Sequence, residues 1–187
     1  PRIFTDDKFV LQTEYRQVTK NTDNILDLSI TQGHKSSELD NKDSRTHFFS
    51  NSKIDLEFKN FDYSTLEIQL QKTSNDTYLK LFDLESPLIN KGTDTLNSFM
   101  NFNLSRENFN FNSSIRAYER LEGLNSDRYQ FIFPSYDLTK IIETDYDLLG
   151  TLSFNSSGSQ NIHSTNVFET RIINDLSYQS NDIFLNN

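Results

Sequence analysis

The sequence contains no cysteine and no tryptophan, and it has only five glycine and three proline residues in 187. Without cysteine the chain has no disulfide and no thiolate metal site. So few glycines leave little material for Gly-rich phosphate loops, and no Gly-x-Ser-x-Gly nucleophile motif or Ser/Lys dyad spacing is present. The usual sequence signs of catalysis are missing, so we expect a protein that is not an enzyme and needs no cofactor.

Long hydrophobic runs and excess positive charge are also missing. No stretch approaches the roughly 18 apolar residues of a transmembrane helix. The formal net charge of −9 argues against nucleic acid as a partner, because phosphates need a basic surface. The mean hydropathy of −0.66 is typical of soluble proteins, but a membrane β-barrel gives similar values since only alternate residues face lipid. Composition therefore leaves a secreted β-domain and an outer-membrane barrel both open.

The chain is rich in aromatic residues, with sixteen phenylalanines and eight tyrosines, and both residue types favour strands. Apolar and polar residues alternate with period two, most clearly over residues 65–71 and 54–58. Similar alternation recurs along the chain and predicts about nine or ten antiparallel strands, many near the roughly 9–11 residues of a tilted membrane strand. No amphipathic helix of useful length is visible.

Clusters of polar residues predict the connections between these strands. We expect turns at residues 59–62, 105–108 and 155–159, and an exposed loop over residues 32–45. The prolines Pro1, Pro87 and Pro134 are expected in or beside connections, where a missing N–H does no damage.

Strands with one apolar and one polar face can be accommodated in two architectures. In a soluble sandwich the apolar faces of two sheets pack together and the polar faces meet water. In a membrane barrel the apolar face meets lipid, the polar face lines the lumen, and the sheet closes so that no backbone group is unpaired in lipid. The alternation alone does not choose between them.

Titratable residues give little support for a chemical site. His34, His47 and His163 are far apart in sequence and have no metal-ligand spacing. Acidic residues at positions 6–7 and 143–147 are close enough in sequence to be called carboxylate pairs. Acid–base catalysis needs such a pair in a pocket with shifted pKa values, and the sequence shows no pocket. We interpret them as solvated loop charges, and we predict no metal site.

A short motif and its neighbours resemble the barrel region of the lipopolysaccharide-assembly (LptD/OstA) family. Residues 72–80, Lys-Thr-Ser-Asn-Asp-Thr-Tyr-Leu-Lys, follow an alternating strand as the family's "SDDTYL" signature does, and residues 82–89 are similar to its partly apolar loop. Residues 1–7 with Leu-Gln-Thr-Glu-Tyr-Arg at 11–16, His-Phe-Phe at 47–49, and residues 118–121 followed by 127–134 resemble other family segments in the same order. The Asn- and Lys-rich style is similar to the α-proteobacterial branch. The family's disulfide-forming cysteines have no counterpart here.

The resemblance implies that residues 1–187 are part of one outer-membrane β-barrel domain of about 26 strands, with no internal domain boundary. It implies a location in the outer membrane of a Gram-negative bacterium and a non-catalytic part in inserting lipopolysaccharide into the outer leaflet. The implied partners are lipopolysaccharide, an LptE-like lipoprotein plug, periplasmic lipopolysaccharide-bridge proteins and outer-membrane lipid. Both ends of the sequence suggest a piece of a longer chain, since it starts at Pro1 and ends in a strand-like stretch.

Two groups of residues are candidate site residues under this hypothesis. The family-motif residues are Ser74, Asn75, Asp76, Thr77, Tyr78 and Leu79. We expect them to form a strand end and a turn in which Ser, Asn and Asp bond nearby backbone and the tyrosine anchors at an interface. The expected lumen-facing residues are Asp55, Glu57, Glu67, Gln69 and Gln71. The alternative is a secreted β-sandwich that binds a glycan or a protein.

Overall fold

In a computed structural model, residues 2–4, 8–34, 43–122, 128–142, 150–163 and 167–180 are described. They form ten strands and one short helix: β1 (Arg2–Phe4), β2 (Lys8–Val18), β3 (Thr22–His34), β4 (Asp43–Asp55), β5 (Tyr63–Thr73), α1 (Tyr78–Leu81), β6 (Thr95–Arg106), β7 (Phe109–Arg120), β8 (Tyr129–Ile142), β9 (Gly150–His163) and β10 (Phe168–Ser180). Strands β2 to β10 are 11 to 14 residues long. The prediction of an all-β chain with almost no helix is confirmed.

The strands form one antiparallel sheet in which each strand pairs with its neighbours in sequence, in the order β1 to β10. Strands β1 and β10 are the two edges, so the described sheet is open. An up-and-down order of this kind needs only connections between adjacent strands.

The register divides the side chains between two faces, because directly paired residues of antiparallel strands point the same way. Ser29 pairs with His47, and Asn103 pairs with Asn112, on what we call the polar face. The polar face also carries Gln12, Asp27, Asn51, Gln69, Asp137 and Ser157. The opposite face, the apolar face, carries Leu11, Leu28, Phe48, Ile68, Met100, Phe111, Phe131, Phe154, Ile172 and Leu176.

A small buried cluster lies at the end of the sheet where β5 leads into β6. Its members are Val10, Phe49, Tyr78, Leu79, Phe82, Leu84, Leu96 and Leu121, each at most 5 % exposed. Four of these residues come from the connection between β5 and β6, so the fold's main apolar packing is made by a loop against one end of the sheet.

The predicted turn at residues 155–159 is wrong, because β9 runs through it without a break. Asn155 and Ser157 pair with Thr139 and Asp137 of β8, and the same residues pair with β10 on their other side. Serine and asparagine satisfy a polar strand face as well as they satisfy a turn, so composition misled the prediction here. The predicted turn at 105–108 is confirmed, since β6 ends at Arg106 and β7 begins at Phe109.

Three other boundaries differ from the sequence prediction. Strand β4 ends at Asp55, so residues 56–58 belong to the connection over 56–62 and the alternation read through them is not a strand. Pro134 lies inside β8 rather than in a connection, at a register shift where the sheet tolerates a missing N–H. Of the expected loop at 32–45, β3 takes the start and β4 the end, while 35–42 and Pro1 lie outside the described residues.

Candidate functional site

The β5–β6 loop, residues 74–94, turns back over the polar face of the sheet. Gln12 of β2 donates from Nε2 to the carbonyl oxygen of Glu85 at 2.9 Å, and Gln71 of β5 donates from Nε2 to that of Leu88 at 3.1 Å. Between these two points, Tyr78, Leu79, Phe82 and Leu84 are buried. The loop therefore covers strands β2 to β5 on the side that carries their polar residues.

The start of the family motif forms a turn that is tied to strand β4. Ser74 accepts a hydrogen bond at Oγ from the Thr46 amide at 2.8 Å, which extends the β4–β5 pairing by one residue. Asn75 Oδ1 accepts from the amide of Thr77 at 3.1 Å and from its hydroxyl at 2.9 Å. A side chain that bonds backbone two residues ahead sets the direction of the chain, and α1 begins at the next residue.

Asp76 joins the loop to β7 and β8 through an ionic cluster. Its carboxylate accepts two hydrogen bonds from the guanidinium of Arg128, at 2.9 and 2.6 Å. Arg128 also bonds the buried carboxylate of Glu119, which Lys72 and the Tyr129 hydroxyl contact at 2.7 and 3.1 Å. The bonds to Asp76 and then to Glu119 raise the pKa of Arg128. Two cations and two carboxylates leave the cluster neutral.

Tyr78 is the centre of a buried polar network beneath the loop. Its hydroxyl lies 2.7 Å from Ser29 Oγ, which lies 2.6 Å from His47 Nδ1. His47 Nε2 is 3.3 Å from Asp27 Oδ1, close enough for attraction but not aligned for a direct hydrogen bond. The imidazole stacks on Phe49 with 4.4 Å between ring centroids. Burial raises the pKa of the Tyr78 phenol, so this hydroxyl stays protonated.

This network contains Ser, His and Asp within contact of one another, as some nucleophilic sites do. Here all of them are at most 6 % exposed, and the Tyr78 hydroxyl bonds Ser29 Oγ, so the loop covers the serine. The arrangement fits an anchor for the loop. The sequence indicated this network only through a Tyr in a loop motif and a His in a strand, because Ser29 and Tyr78 are 49 residues apart.

The expected lumen-facing residues do not all share one setting. Asp55, Glu67, Gln69 and Gln71 lie on the polar face in β4 and β5. Gln71 is buried under the β5–β6 loop, whereas Asp55 is exposed. Glu57 lies in the connection after β4, where a hydrogen bond from Lys20, at 3.0 Å, lowers the pKa of its carboxyl group. The alternation therefore gives no reason to place Glu57 on the polar face.

Side chains replace backbone pairing where β5 and β6 approach the loop. The ladder between them extends only to Gln69 and Phe99. Beyond it, Gln71 Oε1 accepts from the Asn97 amide at 2.8 Å, and the Gln71 amide donates to Ser98 Oγ at 3.0 Å. This seam joins the two strands without a regular ladder, and no alternation pattern in the sequence indicates it.

The apolar face is open over much of its area. Large apolar side chains that are more than 40 % exposed there include Leu11, Phe48, Leu70, Met100, Phe168, Ile172 and Leu176. Ile172 and Leu176 on β10 reach 62 % and 64 %. In the part of the chain that the structure describes, the β5–β6 loop covers the polar face rather than this one.

The remaining titratable residues that the sequence analysis considered do not form a site among the described residues. The side chains of His34 and His163 and the acidic residues at 6–7 and 143–147 lie outside the described residues. Within the described ranges no group of three His, Cys, Asp or Glu side chains is placed to hold a metal ion. Among those same ranges, no helix has the length and apolar character needed to cross a membrane.

Comparison of the chain with protein-family models, with curated proteins and with solved structures finds no match.

Proposed function

We propose that this chain is part of the wall of an outer-membrane β-barrel of the lipopolysaccharide-assembly family. In this proposal the parent protein inserts lipopolysaccharide into the outer leaflet, and no bond is made or broken by this chain. The proposal has two supports: the ordered set of sequence motifs that includes residues 72–80, and the two-sided character of the sheet.

The exposed apolar face is the single observation that carries the proposal. Fully burying one Val, Leu, Ile or Phe side chain stabilises a protein by about 1.5–3 kcal/mol relative to leaving it in water. The sheet leaves many such side chains exposed on one face, whereas soluble proteins rarely expose a continuous apolar surface of this extent. Lipid acyl chains would cover this face without a second protein layer, as they do for barrel strands of 11 to 14 residues.

The polar face has the character of a hydrated lumen wall. It presents amide and hydroxyl side chains, and the β5–β6 loop packs on it as a segment inside a barrel would. The hydrophilic head of a lipopolysaccharide would pass along this face while its acyl chains move on the other side of the wall. A lipoprotein plug and periplasmic bridge proteins would be the partners of the complete barrel.

The connections suggest how the sheet is oriented in the membrane. At one end the strands are joined by residues 19–21, 56–62, 107–108 and 143–149. At the other end they are joined by residues 5–7, 35–42, 74–94, 121–128 and 164–167, of which 74–94 is the longest connection of the sheet. Outer-membrane barrels have short periplasmic turns and longer extracellular loops. We therefore assign the end that carries the β5–β6 loop to the extracellular side.

Spin labels in strand β5 test the membrane proposal, because the chain has no native cysteine. We would label Leu66→Cys, Ile68→Cys and Leu70→Cys on the apolar face, with Glu67→Cys and Gln69→Cys as matched controls on the polar face, in protein reconstituted into bilayers. Gln71 is left out because its side chain is buried under the β5–β6 loop. Accessibility to oxygen and to a water-soluble relaxant would be measured at each site.

We expect oxygen-rich signals on the apolar face, alternating with signals that respond to the water-soluble relaxant. This result would show lipid on one side of the wall and water on the other. If the apolar positions are closed to both reagents, the apolar face is packed on protein. A secreted sandwich that binds a glycan or a protein would then be the better account.

A further inference from the structure

We propose that the polar face of strands β5 to β10 contains a binding groove for a neutral oligosaccharide. This inference goes beyond the proposed membrane function, because it depends only on the polar face. It holds whether lipid or protein covers the opposite face of the sheet.

Two adjoining hollows form the groove, with volumes of about 420 Å³ and 310 Å³. Asp137 of β8 lines both, so the hollows are adjacent. The first extends to Tyr63 of β5, and the second extends to Arg171 of β10. Each hollow is within the size range of small-molecule sites, and together they suit an extended ligand rather than a compact one.

The second hollow exists because β9 has very small side chains at its centre. Its polar-face residues there are Ser157 and Ser159, which pair with Asp137 and Ser135 of β8 and lie beside Arg171 of β10. The same stretch that composition marks as a turn therefore serves in the sheet as the floor of a depression.

Polar groups without partners converge on the groove. Among the described residues, the side chains of Asp137, Thr139 and Arg171 make no hydrogen bond or ion pair with one another or with any neighbour. Exposed donors and acceptors that line these two hollows are available to a ligand.

The chemistry of these groups fits sugar hydroxyls. A hydroxyl both donates and accepts, so it can donate to the Asp137 carboxylate and accept from the Arg171 guanidinium, while Thr139 does either. Tyr63, which is 47 % exposed, presents a flat ring to the apolar face of a sugar at the end of the groove. Asp137 and Arg171 carry opposite charges, so the groove has no excess positive charge that would favour a phosphorylated or carboxylated ligand. The groove therefore selects a neutral oligosaccharide.

The test measures sugar binding to the full chain in micelles of a detergent that has no sugar headgroup. Saturation-transfer NMR would be recorded with maltohexaose, cellohexaose and chitohexaose in turn. We expect at least one of them to bind, and we expect Asp137→Ala and Arg171→Ala each to weaken its binding about tenfold or more, as loss of a charge-assisted hydrogen bond does. Asp23→Ala is the matched control, because Asp23 is an exposed carboxylate on the polar face of β3, outside both hollows.

The unfolding temperatures of the variants should equal that of the parent chain. Equal temperatures would show that any loss of binding is a local effect of the substitution. Absence of saturation transfer from all three sugars at about 10 mM would overturn the proposal, since even weak sites bind in that range. Equal binding by Asp137→Ala, Arg171→Ala and Asp23→Ala would also overturn it, because the sugar would then lie elsewhere. These outcomes are independent of the spin-label result on β5, so the two proposals fail separately.

Discussion

Removing the hydroxyl group of Tyr78 should release the β5–β6 loop without disturbing its apolar packing. The Tyr78→Phe variant keeps the ring, whose centroid lies 5.3 Å from that of Phe82, and loses only the 2.7 Å bond to Ser29. Ser29 and His47 remain bonded to each other at 2.6 Å. The change therefore isolates one buried hydrogen bond that joins the loop to the sheet.

The size of the effect follows from the burial of this bond. Losing a buried hydrogen bond whose partner keeps another bond costs about 0.5–1.5 kcal/mol, and each 1.4 kcal/mol is a factor of about ten in an equilibrium. If the loop opens without unfolding the sheet, its open population should rise about twofold to tenfold. Cleavage within residues 74–94 by subtilisin reports that population when opening is fast compared with cleavage.

The matched control is Tyr15→Phe, because the side chain of Tyr15 is 53 % exposed and lies on the apolar face of β2. We expect its cleavage rate to equal that of the parent chain. Equal rates for Tyr78→Phe and Tyr15→Phe would refute the anchoring role of the network. Faster cleavage spread over the strands as well as the loop would mean that the sheet opens as a whole, which contradicts a separately anchored loop.

Two further predictions concern Tyr78 and the contact between Gly158 and Tyr136 on the apolar face. Burial raises the pKa of Tyr78 above its ordinary value of 10.0. As pH rises, the phenol therefore loses its proton in the open loop before it does so in the closed loop. The closed loop is fully stable below about pH 10 and becomes less stable as pH rises further. Subtilisin cleavage of the loop, corrected for the enzyme's own pH profile, should rise above that pH in the parent chain, and a rise of the same size in Tyr78→Phe would contradict this assignment. Gly158→Ala should lower stability by about 1–3 kcal/mol in thermal unfolding, because its Cβ meets the Tyr136 ring, whereas Gly92→Ala, whose Cβ would have only a 3.5 Å contact with Asn90, should not. Equal unfolding temperatures for the two alanine variants would show that the Tyr136 ring moves aside freely.

Most of the strands were predictable because their signal is local. In residues 65–71 the alternation of Leu and Ile with Glu and Gln specifies both a strand and its two faces, and the register places Glu67 and Gln69 opposite the apolar set as expected. The errors fall where one residue type satisfies two local structures. Serine and asparagine at 155–159 suit a turn and a polar strand face alike, and only pairing on both sides with β8 and β10 decides between them.

The sequence by itself determined that this chain is all-β, with strands that have one apolar and one polar face, because period-two alternation is a local property of adjacent residues. It also marked residues 74–79 as unusual, through their resemblance to a family motif. Only the tertiary structure decided that the β5–β6 loop lies on the polar face, that Tyr78 meets Ser29 and His47, and that Asp76 meets Arg128. Those contacts join residues 18 to 52 positions apart, and no local preference encodes a partner at that distance.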